Sequence, residues 1–311
     1  MKHNQETYRQ WCAGTSGIPL FMQPYWLDAV IPDRSWSGVV ARANEDRMRA
    51  AWSINLSRQR RMKAIVAPPL TPYTGIWLDL DQTLSAQKQS AQRQTLVAAL
   101  EDQLPVVAIF EQKLHPSLQD WMPFYWKGYR QETRYTFRFD CRQVDEIYAQ
   151  FSDSFRRNIR AAERKFDTAL STDIPELFGL IAEVFRLRKQ PVPFTLEQLQ
   201  HVWQVMSERG QCAIYRASDE RGVNSAILVV WDAHTTYYLL GGRSGSNTRS
   251  SSNLLLWRAI QDAGQRGHVF DFEGSMIQGV HAFFQSFGAY MQPYLFIYRY
   301  TGLARLKYLW R

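Results

Sequence analysis

Residues 235 to 298 leave this chain little freedom in its fold, because strand, polar loop, helix, strand, helix and strand follow one another with almost no spare residues. Thr235 to Leu240 reads as a strand, and Gly241 to Asn253 (GGRSGSNTRSSSN) as a loop of glycine, serine and arginine. Beyond it Leu255, Leu256, Ala259, Ile260 and Ala263 recur at helical spacing, with Ser252 or Asn253 as the cap and Gly267 as the stop. His268 to Glu273 is the next strand. Ile277, Val280, Phe283, Phe284 and Phe287 then mark the apolar face of a helix closed by Gly288. Two strands joined by a helix of this length imply a right-handed crossover between parallel strands.

The upstream order is equally regular. Tyr135 to Asp140 alternates as a strand, and Pro175 to Lys189 and Thr195 to Arg209 read as helices, the second opened by a Thr195/Gln198 capping box. Strands follow at Gln211 to Ala217 and Val223 to Trp231, the latter apolar enough to be buried on both faces. The first half repeats the pattern more weakly. Strands at Gly38 to Ala43, Met48 to Leu56 and Met62 to Val66 precede the loop APPLTPYTGIWLDLD, a helix over 85–104 and the strand VVAIFEQ.

Four stretches carry a family resemblance: PLFMQPYWLDAV (19–30), SFRRNIRAAERKF (154–166), LLLWRAIQDAGQRG (254–267) and FDFEGSMIQGVHAFFQSFGA (270–289). With the element order they make the chain resemble the FemAB-like peptidoglycan-bridge aminoacyltransferases and their GNAT-superfamily relatives. The resemblance implies an α/β (α+β) fold of tandem GNAT-like domains with mixed central sheets. Residues 1–130 form the first, rejoined by the tail 299–311, and residues 131–298 form the second, which carries the acyl-transfer site.

At 311 residues and 45% hydrophobic composition, two domains with real cores are the natural expectation. No stretch has the ~20 uninterrupted apolar residues of a membrane span. The opening MKHNQETYRQWC lacks a secretory core, so the expected compartment is the cytoplasm. Cys12, Cys141 and Cys212 are too far apart for a zinc site and odd in number for a disulfide framework, so neither is expected and no residue is assigned to a metal.

The net charge of +8 gathers at Arg58, Arg60, Arg61 and Lys63, at Arg156, Arg157, Arg160, Arg164 and Lys165, and at Arg299, Arg305, Lys307 and Arg311. Arg156, Arg160 and Arg164 share one helical face. Such clusters are either solvated surface or a seat for diphosphate, nucleic acid or anionic lipid. The resemblance turns Arg156, Arg157 and Arg160 toward a phosphorylated substrate, whereas the aromatics and the absence of acids in the C-terminal tail suit contact with a membrane surface.

In the resembled family the acyl group enters where the two parallel strands splay, and the first strand's backbone bonds the acyl carbonyl. Along FDFEGS, alternation puts Asp271, Glu273 and Ser275 on one side, where Asp271 or Glu273 takes the acceptor's proton. The bland alternative makes Asp271 a cap or bridge and pairs Glu273 with the Arg243 loop. Tyr238 is a candidate acid for the leaving group. Arg243, Gly245, Arg249, Ser252 and Asn253 are candidates for the donor's phosphate at the helix N-terminus. Tyr73, in the PPLTPYTG loop, is either a substrate contact or packing.

The resemblance, with these residues, implies an acyltransferase moving an acyl or aminoacyl group onto an amine or hydroxyl of a cell-envelope or small polar acceptor. The donor it implies is acyl-CoA or aminoacyl-tRNA. Aminoacyl-tRNA-dependent extension of a peptidoglycan precursor is the alternative among enzymes. A non-catalytic binder of nucleic acid or anionic lipid is the alternative from another class, and its affinity would fall more steeply with salt.

Overall fold

The computed structural model describes residues 2–31, 33, 35–44, 47–59, 61–245, 249–274 and 276–307. Arg60, Arg311, Ser275 and the side chain of Lys307 lie outside the described part. The chain forms two compact units, Met1–Arg134 with Pro293–Arg311, and Tyr135–Gln292.

The first unit opens with α1 (Lys2–Ala13), a single 3₁₀ turn at Leu20–Met22 and α2 (Pro24–Val30). Then come β1 (Ser37–Asn44), β2 (Arg47–Ile54), β3 (Leu56–Gln59), β4 (Met62–Ile65), β5 (Gly75–Leu78), α3 (Ala86–Glu101), β6 (Ile109–Lys113) and α4 (Met122–Trp126). β1, β2 and β5 make an antiparallel sheet. β3 and β4 form a hairpin, and β4 runs parallel to β6 through Ala64↔Ile109 and Ile65↔Phe110. Between these sheets and α3 lies a core of Trp52, Leu96, Leu100, Phe110 and Phe124, in which the Trp52 ring meets Phe110 and Phe124 edge-on, each 5.7 Å away.

The second unit begins inside β7 (Arg130–Asp140) and continues with α5 (Val144–Gln150), α6 (Asp153–Lys165), β8 (Asp167–Ser171), α7 (Ile174–Leu187) and α8 (Leu196–Glu208). β9 (Cys212–Asp219), β10 (Gly222–Trp231), β11 (Thr235–Arg243), α9 (Arg249–Gln265), β12 (Val269–Asp271) and α10 (Gln278–Gln285) complete it. Its sheet runs β7-β12-β11-β10-β9-β8, antiparallel except for the β11/β12 pair, which the helix α9 connects. The capping box at α8 is formed by Thr195 and Gln198. α9 is anchored by Leu254, Leu255, Trp257 and Ile260, all buried, and a side chain of that size gains about 1.5–3 kcal/mol by leaving water.

The chain then returns to the first unit. β13 (Tyr290–Tyr300) pairs antiparallel with β6 from Phe296↔Lys113 to Tyr300↔Ile109, and α11 (Leu303–Lys307) follows.

Three sequence expectations change. α9 is already helical at Arg249, so Ser252 and Asn253 belong to its first turns and do not cap it. β12 ends at Asp271, two residues before the expected end. β5, hidden in the proline-rich loop, and β8, an edge strand exposed along most of its length, carry too little alternating apolar pattern to have been read as strands.

Candidate active site

β11 and β12 pair at Thr235↔Val269, Thr236↔Phe270 and Tyr237↔Asp271, and then part. From Tyr238 to Arg243 β11 keeps β10 as its hydrogen-bonded neighbour and loses β12. The register against β10 jumps from Leu228↔Leu240 to Val229↔Tyr238, so Leu239 is an extra residue, a bulge that bends the strand at the point of parting. An opened strand edge presents backbone groups to whatever lies beside it.

Beside that edge lies a cavity of about 540 Å³. Tyr238, Gly241, Gly242 and Arg243 of β11 form one wall, Arg249, Ser252 and Asn253 of α9 another, and Val184 with Arg188 and Gln190 a third. Ile277, Val280, Phe283 and Phe284 close it with apolar surface. Among its described lining residues three are arginines and none is acidic. Burial pushes the Arg243 guanidinium below its ordinary pKa, and the neighbouring charges of Arg249 and Arg188 push it the same way. Charges so gathered favour an anion, and the opening turn of α9 adds the positive end of its dipole.

Two glycines make the wall possible. A Cβ at Gly241 would lie 2.0 Å from the Tyr238 hydroxyl, which folds back over it. One at Gly242 would lie 2.3 Å from the backbone nitrogen of Ile181, because α7 rests directly on β11 there. Arg188 and Gln190 reach the cavity because Lys189 between them is left-handed, with φ of 55°, and ends α7 abruptly.

Tyr238 has its hydroxyl pKa pushed up to about 12, first by burial and then by the charge of Glu273, with Arg188 and Arg243 opposing. It therefore stays protonated through the physiological range.

Asp271 does not face the cavity. It is 0% exposed and accepts from Thr136 Oγ1 at 2.5 Å, from Arg138 Nε at 2.8 Å and from the backbone N–H of Glu273 at 2.7 Å. Arg138 Nη2 also lies 2.8 Å from Oδ2, the oxygen that Nε reaches, so the two form a buried ion pair. The side chain expected to take a proton directly is thus a brace between β12 and β7. The alternation that put Asp271 and Glu273 on one side also fails, because Glu273 and Gly274 are left-handed at φ of 60° and 66°. Glu273 is half-buried and near enough to Tyr238 to act on its charge, although it does not line the cavity.

The structure brings together Tyr238, Arg243, Arg249, Ser252 and Asn253. Gly245 makes a left-handed turn in the loop beyond Arg243 and does not line the cavity. Arg156, Arg157 and Arg160 lie on α6, away from the lining, and Arg156 is engaged by Asp153 and the Ala149 carbonyl. Tyr73, 1% exposed among Phe21, His115 and Tyr294, is a core ring and not a substrate contact. Sequence reasoning missed Arg188 and Gln190; the only signal was a basic residue just past a helix end, which usually serves the helix itself.

Residues 153–282 match the family model of the acetyltransferase (GNAT) domain. No curated protein matches the chain by sequence. Among solved structures, FemX is 11% identical with a TM-score of 0.64, over 94% of this chain and 95% of its own. L-PGS from Bacillus licheniformis is 13% identical at 0.57, over 97% and 94%. The tandem GNAT protein from the clavulanic acid biosynthesis pathway is 10% identical at 0.54, over 97% and 96%. The match places the acetyltransferase (GNAT) domain model on residues 153–282 of the second unit, and the three structures share the tandem GNAT fold over nearly the whole chain.

Proposed function

We propose that this protein transfers an acyl or aminoacyl group from a phosphorylated carrier to an amine or hydroxyl of a cell-envelope or small polar acceptor. The observation that carries this reading is the opened edge of β11 beside an acid-free cavity holding Arg188, Arg243 and Arg249. The arginines and the first turn of α9 take the carrier's phosphate, and the donor lies along the edge with its carbonyl against β11 backbone. The acceptor attacks that carbonyl. A new C–N or C–O bond forms as the bond to the carrier breaks, and Tyr238 returns a proton to the leaving thiolate or alkoxide. Glu273, through water, is the proton acceptor for the incoming group, and Asp271 positions Arg138 and the turn at Glu273. The clavulanic acid protein is known in a form without AcCoA, which makes a CoA thioester one donor class to try.

Two donor classes share this chemistry, a CoA thioester and the 3′ end of an aminoacyl-tRNA. Thermal shift with acetyl-CoA and with an aminoacylated CCA minihelix separates them: the true donor class raises the melting temperature, and Arg249→Ala weakens the effect. If neither stabilises the folded protein, the reading fails.

A further inference from the structure

The first unit holds a larger cavity, of about 730 Å³, that acyl transfer does not use. Its floor is one face of β13, where the rings of Phe296, Tyr298 and Tyr300 form a column at 5.6 and 5.5 Å spacing, with the Arg134 guanidinium 3.9 Å over Phe296. Both carboxylates on its wall are engaged: Glu111 accepts from the Tyr300 hydroxyl at 2.6 Å and Glu132 from Arg134 at 3.2 Å. Arg130 and Arg305, also on the wall, have no ion-pair partner among the described residues. The cavity therefore offers surplus positive charge.

Its rim has a second, independent character. α11 turns Ala304 inward against Ala64 and Ile109, and turns Leu303 and Leu306 outward, 80% and 68% exposed. Thr301 binds the carbonyls of Val107 and Ala108, which sets Val106, 92% exposed, nearby. These are three of the four most exposed large hydrophobic side chains among the described residues. Ala108 also donates to the Lys63 carbonyl at 3.0 Å, which brings the exposed Arg58, Arg61 and Lys63 of the β3–β4 hairpin to the same corner. Arg58, Arg61 and Lys63 thus converge there with Arg299 and Arg305, and residues 274–311 contain no acid to offset them.

We infer that this corner docks on an anionic phospholipid surface, with a lipid phosphate at Arg130 and Arg305 and with Val106, Leu303 and Leu306 in the interfacial layer. A free phosphate or a nucleic acid would use the arginines and gain nothing from the exposed leucines. A membrane interface uses both, since buried apolar area and attraction to anionic headgroups add. The inference is independent of the donor chemistry.

The test is co-sedimentation of the full chain, without acyl donor, with vesicles of phosphatidylcholine alone and of equal parts phosphatidylcholine and phosphatidylglycerol. Binding is expected to the mixed vesicles only and to weaken with salt. Removing both cations in Arg130→Ala/Arg305→Ala weakens it about 30-fold, taking ~1 kcal/mol for each basic residue at the surface. Leu303→Glu/Leu306→Glu abolishes it while the melting temperature and acyl transfer to a soluble acceptor are unchanged. Equal binding to neutral vesicles, or undiminished binding by Leu303→Glu/Leu306→Glu, overturns the inference. So does stabilisation by inorganic phosphate or a single-stranded oligonucleotide with no vesicle binding, which would make the cavity a site for soluble anions.

Discussion

Each unit sends a helix back from a polar loop to a strand parallel to an earlier one, but the approach to one helix balances its charges, with Arg47 and Arg49 answering Asp79 and Asp81, while the other gathers cations. At α3 the approach holds Asp79, paired with Arg47 at 2.9 Å, and Asp81, which accepts from Thr83 and whose pKa is lowered mainly by those hydrogen bonds. Ser85 caps the helix by accepting from the Lys88 N–H, and Gln92 reaches back to the Asp81 N–H. That helix end and the charges before it are satisfied by their own chain, with no surplus to hold an anion. At α9 the approach holds Arg243 and Arg249 with Arg188 alongside, and the strand before it has lost its partner. One topology thus serves as scaffold in one unit and as a binding mouth in the other. Paired charge against unbalanced positive charge, and the bulge at Leu239, make the difference.

The comparison is broken or sharpened in order of effect size. Tyr238→Phe keeps the ring over Gly241 and removes the acid, so acyl transfer falls ~10²- to 10⁴-fold while stability holds. A wild-type rate in single-turnover assays would strip Tyr238 of that role. The same hydroxyl gives a sign for pH. Its pKa rises from 10.0 in the unfolded chain to about 12 in the fold, so its contribution to stability is whole below pH 10 and is lost as pH climbs toward 12. The Tyr238→Phe variant loses less stability over that window than the wild type.

Asp271→Asn removes the charge that answers Arg138, and breaking a buried pair costs about 3–5 kcal/mol. Urea denaturation measures it. A stable variant with a collapsed rate would instead return Asp271 to the chemistry.

Arg249→Ala weakens donor binding by roughly 1.5–3 kcal/mol, the worth of a hydrogen bond to a charged group. Ser85→Ala, at the matching place in the first unit, costs about 1 kcal/mol of stability and leaves donor affinity unchanged. Titration calorimetry on both variants decides whether the two mouths differ as their charges say.

Much of this was legible along the chain. The helical periods, the Thr195/Gln198 box and the arginines of the loop after β11 are local signals, and they led to five of the residues that line the cavity. What escaped was set by distant contacts or by single backbone angles. Asp271 meets Thr136 and Arg138 from 135 and 133 positions away, a pairing that no local pattern encodes. Lys189 and Glu273 are left-handed without being glycine, so nothing in their residue types marked the turns that bring Arg188 in and end the alternation at Asp271. Tyr73 sits in a loop whose prolines and glycine suggested a cleft wall, yet its ring finds Phe21 and Tyr294, far away in sequence.

The return of β13 to β6 has a consequence for how the protein is made. During translation every residue of the second unit has been polymerised by Gln292, whereas β6 waits for residues 296–300 before its antiparallel partner exists. The half synthesised first is therefore the half completed last, with an uncovered strand edge throughout, the kind of species that invites aggregation or a holding chaperone. A released chain truncated after residue 292 should be cut by protease more readily within 1–134 than within 135–292, and a chain reaching residue 307 should lose that difference.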